Sequence, residues 1–93
     1  MTLPLEEKRN RTLLAAYELN SKSPHIHVDE LEELANVGTE FYNILRYFGI
    51  NGKKWLKKTN LVVRFTAEGI DAAEELLKTR QMQMAENEKG VHI

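Results

Sequence analysis

Residues 29–66 read DELEELANVGTEFYNILRYFGINGKKWLKKTNLVVRFT, and this stretch decides the fold. It opens on Asp29 with Glu32 three positions later, a capping-box pattern in which side chains satisfy the free N–H groups of a helix start. Leu31, Leu34 and Ala35 recur at helical spacing and predict one buried face. Asn36-Val37-Gly38 has turn composition, and a second apolar face follows at Phe41, Ile44, Leu45 and Phe48. Gly49 is expected to end that helix in the left-handed conformation, with Ile50 folding back onto Leu45. Two helices joined by a tight turn form a helix-turn-helix pattern.

Beyond Gly49 the period changes. Lys54, Trp55, Leu56 and Lys57 lead to a polar tip expected at Lys58-Thr59-Asn60. Leu61, Val63 and Phe65 then alternate with Val62 and Arg64, the pattern of a strand with one buried face. The two runs predict a hairpin. Thr66 is expected to cap a further helix, with Phe65 and Ile70 at the two positions of a hydrophobic staple. That helix carries Ile70, Ala73, Leu76 and Leu77 and is expected to reach Met84, leaving residues 86–93 as a frayed tail.

Upstream, Leu5–Asn20 reads as the first helix. Leu13, Leu14 and Tyr17 form its apolar side, and Glu6, Glu7, Lys8, Arg9, Arg11 and Glu18 its wet side. Ser21-Lys22-Ser23-Pro24 breaks the helix, and the β-branched run His25-Ile26-His27-Val28 predicts a brief strand. The expected architecture is α+β and mainly helical: helix, short strand, helix, helix, hairpin, helix. It forms a single domain over residues 1–85.

With 93 residues the chain holds one small core, and with no cysteine it has neither disulfides nor thiolate metal sites. No apolar run is long enough to span a membrane, and the first residues lack the basic-then-apolar order of a secretion signal. The expected location is the cytoplasm. The formal net charge of -1 conceals a division. Residues 38–66 carry Arg46, Lys53, Lys54, Lys57, Lys58 and Arg64 against Glu40 alone, a local charge of +5, so the rest of the chain carries -6.

The element order resembles the winged helix-turn-helix fold of small prokaryotic, archaeal and viral transcription regulators, in which the hairpin is the wing. Residues 63–70, VRFTAEGI, are similar to the L-T-x-x-G junction that many of these regulators carry between wing and last helix, and residues 25–33 resemble their strand-to-helix passage. The resemblance implies double-stranded DNA binding in transcription regulation, with the helix after the turn in the major groove. On residues 39–48 it points to Thr39, Asn43 and Arg46 facing outward, flanked by Tyr42 and Tyr47. Asn and Arg can make bidentate contacts to adenine and guanine edges. Glu40 would oppose a phosphate there, although an acid in the first turn also favours the helix dipole.

The hairpin contributes Lys53, Lys54, Lys57 and Lys58 around Trp55, with Arg64 on the returning strand. Clustered cations neutralise phosphates and drive sequence-independent binding. Lysines also blunt strand edges against aggregation, but a purely soluble edge mixes signs, and this one does not. Trp55 has two readings, stacking on a base or sugar and acting as a lid on the core. For the last helix, the seven-residue recurrence of Ile70, Leu77 and Met84, with Ala73 between, predicts a homodimer contact.

Enzyme chemistry is not expected. The chain has no glycine-rich phosphate loop and no nucleophile paired with a base at a known spacing. His25 and His27 fall on one side of a strand, but a metal needs a third ligand, and they read as surface histidines. No metal or cofactor is expected. The competing functional reading is a protein-interaction module that docks a partner through the acidic helix (Glu30, Glu32, Glu33) or the aromatic one (Tyr42, Tyr47).

Overall fold

A computed structural model of the chain describes residues 3–91, and side chains within residues 3–80. The element order is α1 (Leu5–Asn20), β1 (Ile26–His27), α2 (Val28–Ala35), a 3-10 turn (Gly38–Glu40), α3 (Phe41–Phe48), β2 (Leu56–Thr59), β3 (Val62–Phe65) and α4 (Ala67–Val91). The result is a small, mainly helical α+β domain with a three-stranded antiparallel sheet in the order β1-β3-β2.

The boundaries expected for α1 are the observed ones, but its buried face is not. Thr12, Leu13, Ala15 and Ala16 are buried, while Leu14 and Tyr17 are half-buried. Small side chains let neighbouring helices approach closely, and the hydroxyl of buried Thr12 is satisfied by donating to the Lys8 carbonyl at 2.9 Å. Arg9, assigned to the wet side, is half-buried and lies with its guanidinium carbon 3.7 Å from the Tyr47 ring centroid.

The start of α2 differs from the expected capping box. Helix begins at Val28, two residues early, because β1 ends in an extended His27 whose Nδ1 accepts from the Asp29 N–H at 3.2 Å. Val28 itself donates to the Leu61 carbonyl at 2.8 Å, fixing the helix start to the hairpin turn. Val28, Leu31 and Ala35 form the buried stripe; Leu34, expected inside, is 43% exposed on its flank. Asn36 closes the helix at φ 50, and its N–H donates to the Glu32 carbonyl.

Phe41, Ile44, Leu45 and Phe48 all point inward from α3, as their spacing predicts. The helix stops differently. Gly49 is extended (φ -80, ψ -165) rather than left-handed, and Ile50 is 71% exposed instead of folded back. Residues 49–55 wrap around the helix end: Lys53, Lys54 and Trp55 donate their N–H groups to the Tyr47, Gly49 and Phe48 carbonyls at 2.9, 3.0 and 2.9 Å. The wrap requires Gly52, where a Cβ would stand 1.9 Å from the Tyr47 carbonyl oxygen, and a left-handed Lys54 at φ 61.

The hairpin pairs Leu56 with Phe65, Lys57 with Arg64, Lys58 with Val63 and Thr59 with Val62. Its turn is therefore Asn60-Leu61, shorter than the expected tip. Asn60 adopts φ 54, and Leu61, expected to be buried with Val63, is 57% exposed in the turn. Thr66 caps α4 as predicted, its hydroxyl accepting from the Gly69 N–H at 3.0 Å. The same hydroxyl donates to the Lys54 carbonyl at 2.7 Å, joining the wrapped loop to the last helix. The backbone of α4 is helical to Val91, beyond Met84 and through most of the stretch expected to fray. Tyr17 and Arg80 hold it to α1 through Glu74 at 2.8 Å and Glu7 at 2.7 Å.

Candidate functional site

The helix expected over residues 39–48 starts at Phe41, so Thr39 falls in the 3-10 turn before it. Thr39, Asn43 and Arg46 are exposed, and Tyr42 is 54% exposed. Tyr47 behaves differently. It is half-buried on the opposite flank, with Arg9 against its ring and the Lys53 ammonium 5.8 Å from its centroid. Two clefts therefore flank the end of α3, one organised on each tyrosine.

The Tyr42 cleft, about 300 Å³, is lined by Tyr42, Leu45, Arg46, Gly49, Ile50, Asn51 and Lys58. The hairpin register explains how Lys58 comes to face α3. Successive residues of a strand alternate faces, so Lys58 lies on the same side as Leu56 and its partner Val63, both buried. At the sheet edge, however, this core-facing side opens onto α3. No carboxylate lines the cleft. Glu40, the one acid of the basic segment, has its carboxylate 3.8 Å from Lys8 on α1, a partly exposed pair.

The Tyr47 cleft, also about 300 Å³, is lined by Glu6, Arg9, Asn10, Tyr47, Phe48, Lys53 and Trp55. Trp55 is half-buried and stacks on Phe48 with centroids 5.5 Å apart at 21°. It thus serves as a lid on the core at the same time as it lines a cleft. The Lys53 ammonium stands 5.7 Å from the Trp55 ring, within cation–π range of both aromatics.

The basic hairpin is thus not one patch. Lys53 belongs to the Tyr47 cleft and Lys58 to the Tyr42 cleft. Lys57 and Arg64 form a cross-strand pair on the opposite sheet face, where the Arg64 guanidinium also lies 3.1 and 3.0 Å from the two ring nitrogens of His25. Lys54 is exposed at the bend of the wrapped loop. Among the described residues, none of Arg46, Lys53, Lys54, Lys57, Lys58 or Arg64 lies within ion-pair distance of a carboxylate. Their charge is left for other uses.

The residues expected at a dimer contact separate as well. Ala73 is completely buried in the core and unavailable to a second subunit, while Ile70 is half-buried and Leu77 is 36% exposed. Ala72 and Leu76, the neighbouring stripe, pack against the home core. The side chain of Met84 lies outside the described residues.

Arg9 and Asn51 escaped the sequence reading. Arg9 sits among charged neighbours that suggest a solvated face, and only the packing of α3 against α1 brings Tyr47 over it. The Asn51-Gly52 pair is a turn signal that marks this wrap. His27, read as a surface histidine, is engaged as the α2 cap. Among the described residues no three His, Asp or Glu side chains gather as a metal site would need, and no helix is long and apolar enough to cross a membrane.

No protein-family model matches the chain, and neither a curated protein nor a solved structure matches it significantly.

Proposed function

We propose that the chain is a winged helix-turn-helix domain that binds double-stranded DNA as a transcription regulator. In this reading α3 enters the major groove and the β2–β3 hairpin is the wing. The observation that carries it is the Tyr42 cleft, where exposed Arg46 on α3 stands beside Lys58 of the hairpin with no carboxylate among the lining residues. A base-reading side chain and a phosphate-neutralising one thus share a surface, with Asn43 exposed on the same helix and Thr39 exposed in the turn before it. The Lys8 contact turns Glu40 toward α1, easing the objection that an acid opposes the DNA. Lys57 and Arg64, on the other face of the hairpin, are placed to meet a different stretch of backbone.

A homodimer through α4 is part of this proposal. Its contact would use Leu77 and the exposed side of Ile70, without Ala73. A sedimentation mass of two chains at high micromolar concentration supports it, and a mass of one chain removes it.

The protein-interaction reading has one observation of its own. Leu34 is exposed over a groove between α1 and α2 that is also lined by Glu18, Glu30 and Glu33. Salt separates the two readings. A gel-shift titration with random duplex should show binding that weakens steeply between low and moderate salt. Absence of any shift at low salt gives preference to the protein partner.

A further inference from the structure

We infer that the Tyr47 cleft binds a nucleotide, with its base against the Trp55 indole and its phosphate on Lys53 and Arg9. This site is separate from the duplex-binding surface and does not rest on that reading.

The sign of the ligand follows from what already touches the rings. An aromatic cleft attracts cations through its ring faces. Here Arg9 occupies the Tyr47 ring at 3.7 Å, and Lys53 stands over Tyr47 and Trp55 at 5.8 and 5.7 Å. A further cation meets two positive charges at those faces; an anion meets two partners. Arg9 adds a second partner at the cleft wall. Its Nε is buried and makes no hydrogen bond among the described residues, so the guanidinium is held by stacking on Tyr47 at 3.7 Å. A guanidinium presents its donors as a planar fork that suits the oxygens of a phosphate.

The shape favours a flat group bonded to that anion. Phe48 is buried and stacks on the indole, so the exposed Lys53 comes to Trp55 from the solvent side. Lysine carries its charge on a flexible stem and can swing from the ring to a phosphate, leaving the indole to a base. Stacking of bases on aromatic side chains is tolerant of base identity. Asn10 supplies both amide donor and acceptor to a base edge or sugar, and Glu6, lining the cleft beside it, accepts from hydroxyl or amino groups. A volume of about 300 Å³ is at the small end of ligand pockets and suits one nucleotide rather than a larger cofactor.

Trp55 is the single tryptophan of the chain, so its fluorescence reports on the cleft directly. Adenosine monophosphate, adenosine and inorganic phosphate are titrated separately at constant ionic strength. The expected result is saturable quenching by the monophosphate, with adenosine and phosphate each at least roughly tenfold weaker, as loss of a charge-assisted hydrogen bond implies. Lys53→Ala, at an exposed position that leaves the fold intact, should weaken the monophosphate by about tenfold or more. Arg9→Lys keeps the charge and removes the fork, and should weaken it as well. A short single-stranded oligonucleotide distinguishes the sources. Tighter binding than the monophosphate assigns the cleft to an unpaired nucleotide of a strand, and weaker binding assigns it to a free one. Absence of saturable quenching by both, equal affinity for adenosine and its monophosphate, or an unchanged affinity in Lys53→Ala overturns the inference.

Discussion

The two clefts flanking α3 contain nearly the same parts and differ in how those parts are held. Each has about 300 Å³ and one tyrosine, with two cations: Arg46 and Lys58 on one side, Arg9 and Lys53 on the other. On the Tyr42 side the cations and the tyrosine are exposed. On the Tyr47 side Arg9 is stacked and partly buried, and Trp55 is fixed on Phe48. Exposed, long-stemmed cations suit a polyanion, because phosphate neutralisation needs charge more than exact position. A rigid aromatic wall with a buried donor suits one small ligand of defined shape, since little ordering is lost on binding. Similar composition thus yields one exposed and one partly buried cleft, and burial makes the difference.

Gly52→Ala should perturb both clefts at once and have the largest effect. The wrapped loop supplies Ile50 and Asn51 to one cleft and Lys53 and Trp55 to the other. A methyl group 1.9 Å from the Tyr47 carbonyl oxygen forces the loop away. The expected cost is about 3 kcal/mol of stability in urea unfolding, with both proposed binding activities impaired together. A folded variant that lost only one of them would show that the clefts do not share this wall.

Thr66→Ala should have the next largest effect, about 1–2 kcal/mol by the same measurement, since one hydroxyl caps α4 and holds the Lys54 carbonyl. Asn43→Ala should act on the α3 surface beside the Tyr42 cleft alone. It should cost about 1–3 kcal/mol on a preferred duplex site and little on random duplex, and leave nucleotide quenching of Trp55 unaltered.

The smallest effect concerns neither cleft and serves as a control. The hydrogen bond to Glu74, followed by burial and by the charge of Glu74, raises the Tyr17 phenol above its ordinary 10.0. A raised folded value stabilises the protonated form, so this tie between α1 and α4 contributes below pH 10 and is lost as pH rises through the raised value. An ultraviolet phenolate titration should contain a late component that disappears in Tyr17→Phe and moves down in Glu74→Gln.

Local signals were legible where one residue type does one job. The Leu5–Asn20 boundaries, the four inward residues of α3 and the Thr66 cap all follow from period and capping chemistry. The misreadings lie where tertiary contacts compete with local rules. His27 replaces the Asp29 box because β1 presents an extended residue at the helix start. Gly49 is not left-handed because three N–H groups of the following loop reach the helix end instead. The charge excess of residues 38–66 was readable, but its distribution over two clefts and two sheet faces was not. Strand register decides which lysine faces α3, and a hairpin turn one residue longer would exchange Lys57 for Lys58.

Duplex binding through the Tyr42 cleft is tested most directly by its salt dependence. Affinity for random duplex is measured over a range of salt for the wild type, for Arg46→Ala combined with Lys58→Ala, and for Lys53→Ala. Removing Lys58, the phosphate-neutralising member of the pair, should flatten the slope of log affinity against log salt by roughly 1 unit in the double variant, with the base-reading Arg46 adding little on random duplex. The Lys53 variant should keep nearly the wild-type slope. No duplex binding by the wild type at low salt, or an unchanged slope in a folded double variant, would contradict the proposal.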